Sequence, residues 1–294
     1  MTSLARRLRL AHRPAASRGA AVATAATAAA ALIALLAAGP AHAFWDLPRL
    51  WLSDGSYALY VAPPAVAAGA ASRSGADAAD DSTVPGPPGT ARAYPVVLAL
   101  HGMADRPDWA CHIWSTTAGP EFGFFVCPHG KLRAAPTIYR GVARPGFPTA
   151  SAWSGAGQAK ARGLEALGLL RGRFGATVAP NAAVCVGFSQ GAYLSIHLAL
   201  HDPTVCRAAI AAMPFFKAEW VPRPPPGVRP PPIYLVTGTR DVGYRHVLAA
   251  RDRLAAFGYP VEVKVFAGLG HDWAPDFSAA VHPAFDWVAA TLAP

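Results

Sequence analysis

Residues 184–192 read Val-Cys-Val-Gly-Phe-Ser-Gln-Gly-Ala. A short apolar run rich in β-branched residues meets a Gly-x-Ser-x-Gly turn. A helical pattern follows from Gln190 to His201, with Ala192, Ile196 and Ala199 on one stripe. A serine on so tight a strand-to-helix turn is pushed out past the strand end in a strained backbone conformation. Glycines two before and two after it remove the side chains that would collide where strand and helix nearly touch. The helix start supplies unpaired N–H groups and the positive end of a dipole, which suit an oxyanion. Ser189 is therefore the candidate nucleophile.

A serine hydroxyl needs a neighbouring imidazole to take its proton and a carboxylate to orient that imidazole. Downstream, the apolar run Ile233-Tyr234-Leu235-Val236 ends in Thr237-Gly238-Thr239-Arg240-Asp241. This places Asp241 just past a strand's C-terminal end, where ligand sites form in open α/β sheets. A second strand pattern, Val261 to Phe266, leads into Gly268-Leu269-Gly270-His271-Asp272. His271 is thus the candidate base and Asp241 its orienting acid. Asp272 and Asp276 compete for the acid role, although Asp276 reads as the N-cap of the next helix. His197, His201, His246 and His282 fall on helical segments, as does His112. His129 ends a strand.

An oxyanion hole takes one donor from the residue after the nucleophile, here the Gln190 N–H. The second comes from the loop after an earlier strand. Val96 to Leu100 supplies that strand and His101-Gly102-Met103 the turn, so the second donor is assigned to the Met103 N–H. His101 reads as a structural residue holding the loop. Trp153, Phe188, Phe215 and Trp273 are the aromatic candidates for the walls of an acyl or aryl pocket.

Four motifs, Leu100-His101-Gly102, Gly187-Phe188-Ser189-Gln190-Gly191-Ala192, Thr237-Gly238-Thr239-Arg240-Asp241 and Gly268-Leu269-Gly270-His271, resemble the motif series of the α/β-hydrolase superfamily. The Gly-Phe-Ser-Gln-Gly spelling is similar to the carboxylesterase, acyl-protein thioesterase and dienelactone hydrolase branches. The resemblance runs from about Tyr94 to the C-terminus. It implies a central, mostly parallel sheet with helices on both faces and hydrolysis through an acyl-enzyme. The sequence departs from the carboxylesterase pattern twice. Met-Ala-Asp-Arg-Pro replaces the usual Gly-rich loop after His101-Gly102, and Gly-Ala stands where Gly-Gly often follows the Ser-Gln pair.

Those elements must be carried by a chain with a marked N-terminus. Arg6, Arg7, Arg9, Arg13 and Arg18 precede an Ala-rich apolar stretch, Ala20 to Ala38, and then Ala41-His42-Ala43. A basic region, an apolar core and an Ala-x-Ala site read as a secretory signal peptide spanning residues 1–43, cut before Phe44. The expected location is periplasmic or extracellular, with an uncleaved N-terminal membrane anchor as the alternative. The chain has 26 basic and 17 acidic residues, a net charge of +9. Without the five leader arginines the balance is 21 to 17, or +4, with no basic run, which gives no reason to expect nucleic-acid binding.

Four cysteines in an exported chain are compatible with two disulfides. Cys111 with Cys127 closes a short loop; Cys185 and Cys206 bracket the nucleophile helix. Metal-ligand spacing, a dinucleotide fingerprint and a P-loop are all missing from the sequence, so neither a metal nor a cofactor is expected. No repeat or coiled-coil pattern bears on oligomeric state.

After the leader about 250 residues remain, enough for one domain over 44–294. Trp51 to Val61 reads as an early strand or hairpin. Ala62 to Arg92 turns to Ala, Gly, Pro, Ser and Asp and is expected as a flexible surface insertion. Ala156 to Phe174 is an amphipathic helix with Leu164, Leu167, Leu170 and Phe174 on one face, ended by Gly175. Pro214 to Pro232 is too proline-rich for a helix. Pro283 is expected to begin the last helix, and there is no cap domain of the size lipases often carry. These elements support an exported serine hydrolase acting on a carboxylic ester or thioester. The same triad would also serve a peptidase or polyester depolymerase, and the same fold a non-catalytic envelope binding protein.

Overall fold

The chain enters its main sheet through a hairpin. In a computed structural model, which describes residues 47–71, 92–119, 121–132, 138–139, 142–143 and 151–293, Arg49–Trp51 (β1) and Tyr57–Val61 (β2) pair antiparallel. Residues 1–43, with the expected signal peptide and its cleavage point, lie outside the described residues, as does most of the expected insertion. The insertion's first part, Pro64–Ala71, forms a helix (α1). Its alanines supply the helix propensity.

The central strands are the continuous apolar runs. Val96–Leu100 (β3) and, after the helix Pro107–Ala118 (α2), Phe124–Pro128 (β4) are buried along their whole length. Such runs suit strands covered on both faces. The described part of the following connection is two short ribbons: Lys131–Leu132 (β5) with Ser151–Ala152 (β8), and Ile138–Tyr139 (β6) with Val142–Ala143 (β7). The helix Ala156–Phe174 (α3) follows, then Ala183–Phe188 (β9), Gln190–His201 (α4), Cys206–Ala212 (β10) and Ile233–Gly238 (β11). Tyr244–Ala256 (α5), Val261–Phe266 (β12) and Phe277–Leu292 (α6) complete the chain.

The eight-stranded sheet runs in the order β1-β2-β4-β3-β9-β10-β11-β12. From β4 to β12 all neighbours are parallel; β1 and β2 join antiparallel at one end. One apolar core gathers α3, α4 and α5 against one face, and a second gathers α2 and α6 against the other. Between β3 and β9 the chain reverses its direction of travel across the sheet. Loops leaving these two strands diverge there and open a crevice at their C-terminal ends.

Helix boundaries follow local chemistry. Pro107 occupies the first position of α2, where a missing N–H costs nothing. Gly175 takes φ 54° and donates its N–H to the Arg171 carbonyl, ending α3. Leu167, Leu170 and Phe174 are buried as expected, but Leu164 is 44% exposed and belongs to the helix's solvent border. Pro283 does not begin α6. The helix starts at Phe277 after Asp276, whose side chain makes no capping bond, and holds Pro283 inside. Pro283 has no N–H to give the carbonyl four residues back, yet Phe277, Val281, Ala284, Phe285 and Val288 all bury against the sheet. Packing outweighs the lost bond.

Cys111 of α2 is joined to Cys127 of β4, with Cα atoms 5.6 Å apart, and Cys185 of β9 to Cys206 of β10 at 5.5 Å. All four are fully buried.

Candidate active site

Ser189 follows β9 directly, with φ 54° and ψ −113°, a conformation L-residues rarely adopt. Its N–H donates to the Ala212 carbonyl at 2.9 Å, and its carbonyl accepts from the Tyr193 N–H at 3.0 Å. The two flanking glycines are obligatory. A Cβ on Gly187 would lie 2.3 Å from the Gly191 carbonyl carbon, and one on Gly191 only 1.9 Å from the Leu100 carbonyl oxygen. The start of α4 is thereby pressed against the end of β3.

The candidate acid and base are brought together by two loops zipped side by side. Arg240 N–H donates to the Leu269 carbonyl at 2.9 Å, Gly268 N–H to Thr239 Oγ1 at 2.8 Å, and Thr239 N–H to the Phe266 carbonyl at 3.0 Å. A Cβ on Gly238 would sit 2.2 Å from the Leu269 carbonyl oxygen. This zipper spans the gap from β12, at the sheet edge, toward Ser189. His271 Nδ1 lies 2.7 Å from Asp241 Oδ2, and His271 Nε2 lies 2.8 Å from Ser189 Oγ. A carboxylate can only accept, so Nδ1 carries the proton and Nε2 is free to accept from the serine hydroxyl.

Asp241 is buried, and its Oδ1 accepts the Gly243 N–H. Burial alone would raise its pKa. The hydrogen bonds from His271 and Gly243, with the charge of His271, overcome that and hold it below the usual carboxylate range. Asp272, the competitor, instead accepts its neighbour Trp273's N–H at 2.8 Å.

The two expected oxyanion donors lie on adjoining turns. A Cβ on Gly102 would touch the Phe188 carbonyl oxygen at 3.5 Å, so the Gly102-Met103 turn abuts the residue before Ser189. Among the described residues neither the Met103 N–H nor the Gln190 N–H is spent on a protein acceptor. His101 is fully buried. It donates from Nδ1 to the Gly102 carbonyl at 2.8 Å and accepts the Gly130 N–H at Nε2, 2.9 Å away. Burial pushes its pKa down to about 3, so it is a fixed neutral strut. Asp105 accepts the Arg106 N–H at 2.7 Å and the Gly102 N–H at 3.3 Å; burial pushes its pKa up to about 6.

The aromatic candidates separate into three kinds. Trp153 is 4% exposed and packs inward. It stacks on His101 at 4.9 Å and donates its Nε1–H to the His101 carbonyl at 3.0 Å. The Gln190 side chain grips its backbone twice, Oε1 accepting the Trp153 N–H at 3.0 Å and Nε2 donating to the Trp153 carbonyl at 2.9 Å. Sequence reading gave Gln190 only a backbone role and missed this clamp; a polar side chain facing a strand end was its one signal. Phe188 packs on the His271 ring at 5.2 Å and stacks on Trp273 at 4.4 Å. Trp273 also lines a cavity of about 370 Å³ with Ile113, Pro275 and Phe277, which no triad residue lines. Phe215 is 45% exposed, edge-on to His246.

The sequence profile of the Phospholipase/Carboxylesterase family matches residues 87–283. The chain belongs to this family. It is an α/β-hydrolase and an esterase-like serine hydrolase. Acyl-protein thioesterase 1 of Neurospora crassa is 26% identical over 204 residues, covering 63% of this chain and 82% of that protein. A Bacillus cereus protein of uncharacterised function has the same fold, with TM-score 0.54, 16% identity and coverage of 74% of this chain and 65% of that one. Zea mays acyl-protein thioesterase 2 aligns with TM-score 0.49 and 20% identity over 70% of this chain and 96% of that one.

Proposed function

We propose that this family member hydrolyses a carboxylic ester or thioester through an acyl-enzyme carried on Ser189. His271 takes the serine proton as Oγ attacks the carbonyl carbon, and Asp241 steadies the imidazolium that forms. The Gln190 and Met103 amides receive the developing oxyanion. Collapse of the tetrahedral intermediate expels the alcohol or thiol, protonated by His271. Water, deprotonated by His271 in turn, then releases the acid. The observation that carries this reading is the 2.8 Å approach of His271 Nε2 to Ser189 Oγ, with Asp241 bound behind it. The relative named as a thioesterase favours testing thioesters beside esters.

The test is labelling by a fluorophosphonate probe of wild type, Ser189→Ala and His271→Ala. Labelling of wild type alone supports the triad. Equal labelling of Ser189→Ala removes it.

The enzyme is proposed to act outside the cytoplasm. The basic and apolar leader supports export, and so do two cysteine pairs at disulfide distance inside the core. Sequencing the N-terminus of the protein recovered from its native compartment should give Phe44; an intact Met1 would overturn the cleavage.

A further inference from the structure

The strand β12 is the last of the sheet and differs from every central strand. None of its residues is buried, whereas β3, β4 and β10 are buried almost throughout. Its six residues pair in unbroken register with β11, so no bulge or internal proline blunts its outer edge.

The direction of its backbone groups is fixed. The Pro260 carbonyl accepts the Ile233 N–H at 2.9 Å and the Phe266 carbonyl accepts the Thr239 N–H at 3.0 Å, both from the β11 side. Strand alternation therefore turns the N–H and C=O of Glu262 and Lys264 toward β11, and those of Val261, Val263 and Val265 toward the open edge. Among the described residues these outward groups have no protein partner.

We propose that two copies of this chain pair antiparallel along β12, about a two-fold axis through Val263. In that register Val263 exchanges both backbone bonds with its own copy, and Val261 exchanges both with Val265 of the second copy. Glu262 and Lys264 then fall opposite each other in the non-hydrogen-bonded pairs, where side chains approach most closely. Each two-fold contact holds this ion pair twice.

The charges select that register. Centring the axis on residue 262 would set Glu262 against Glu262, and centring it on residue 264 would set Lys264 against Lys264. Neither side chain has an ion-pair partner within the described residues of its own protomer, although the Lys264 ammonium lies 5.6 Å from the Phe266 ring centre. A lone lysine ordinarily guards an edge against other strands. In the proposed register Glu262 of the second copy stands opposite it. On the opposite face Val261 and Val263 already pack against the protomer's own core, so Val265, 37% exposed, is the side chain that would shed most water on pairing. One short strand pair buries less than the roughly 800 Å² per partner of a tight interface, so a micromolar dissociation constant is expected.

Sedimentation equilibrium of wild type, Glu262→Lys, Lys264→Glu and the double exchange tests this over about 1–100 µM. Wild type should dimerise. Each single charge reversal should raise the dissociation constant at least about tenfold, and the double exchange should bring it back toward wild type. Wild-type melting temperature and ester turnover in all variants keep the fold and the catalytic proposal out of the comparison. A wild type monomeric at about 100 µM overturns the proposal, and so does a double exchange no better than the single reversals.

Discussion

Ser189 is held in its unusual backbone conformation by two bonds and two glycines, and that conformation presents Oγ to His271. The chemistry of this site made its residues readable. A hydroxyl needs a base and a base needs an acid, and each had to stand on a loop leaving a strand. Asp241 was distinguished from Asp272 by strand order alone. Its depressed pKa gives the sign of its pH effect. Ionised Asp241 stabilises the folded chain above its unfolded pKa, and that contribution is lost as pH falls through the lower folded value. Asp241→Asn keeps the shape but puts an amide N–H where Oδ2 accepts from Nδ1, which favours the tautomer with the proton on Nε2. That tautomer cannot take the serine proton. The kcat should fall about 10³–10⁴-fold, while the circular dichroism spectrum stays that of wild type. A fall of less than about tenfold would mean that another acid orients His271.

The elements that carry these residues were legible to different degrees. α3 and α4 have the expected bounds because their apolar spacing is regular and their ends carry glycine or the nucleophile turn. α6 was misread because Pro283 was given more weight than the apolar stripe on either side of it. The Gln190–Trp153 clamp could not be read at all. It joins residues 37 apart in sequence, one from a segment with no periodicity. Gln190→Ala retains the oxyanion amide but releases the stretch between β8 and α3 from the α4 start. It should cost about 1–3 kcal/mol in urea unfolding and lower kcat more than it raises KM. Unchanged kcat would make the clamp purely structural.

Asp105 holds the neighbouring Gly102-Met103 turn at a pH-dependent cost. Its folded pKa lies above its unfolded one, so folded stability falls as pH rises from about 4 to about 6 and levels off above that. Asp105→Asn should gain on wild type across this window, by at most about 3 kcal/mol, and show a constant difference beyond it. The comparison is melting of both proteins from pH 4 to 8. A difference independent of pH would assign Asp105 no titration there.

For the molecule as a whole, the family resemblance implied a mostly parallel sheet covered on both faces, and the fully buried apolar runs of its central strands fit that layout; one cysteine pair joins two of those strands and the other joins a helix to a third strand. Cys185–Cys206 encloses the nucleophile turn and all of α4, and it joins the two strands on either side of that crossover. Cys111–Cys127 clips α2 to β4. Both close loops of similar length, 16 and 21 residues, so chain entropy assigns each about 3 kcal/mol. For a domain of this size that is a melting shift of roughly 6–12 °C per bridge. Replacing Cys185 and Cys206 together by alanine should produce a shift of this size, with fluorophosphonate labelling of Ser189 retained below the transition. Equal melting with and without the pair would show that the Cys185–Cys206 link adds no net stability between β9 and β10. Since all four sulfurs are buried, reductant should act on the folded protein slowly and on the unfolded protein at once. Melting in dithiothreitol should therefore become irreversible, while the native enzyme keeps its turnover over the same exposure.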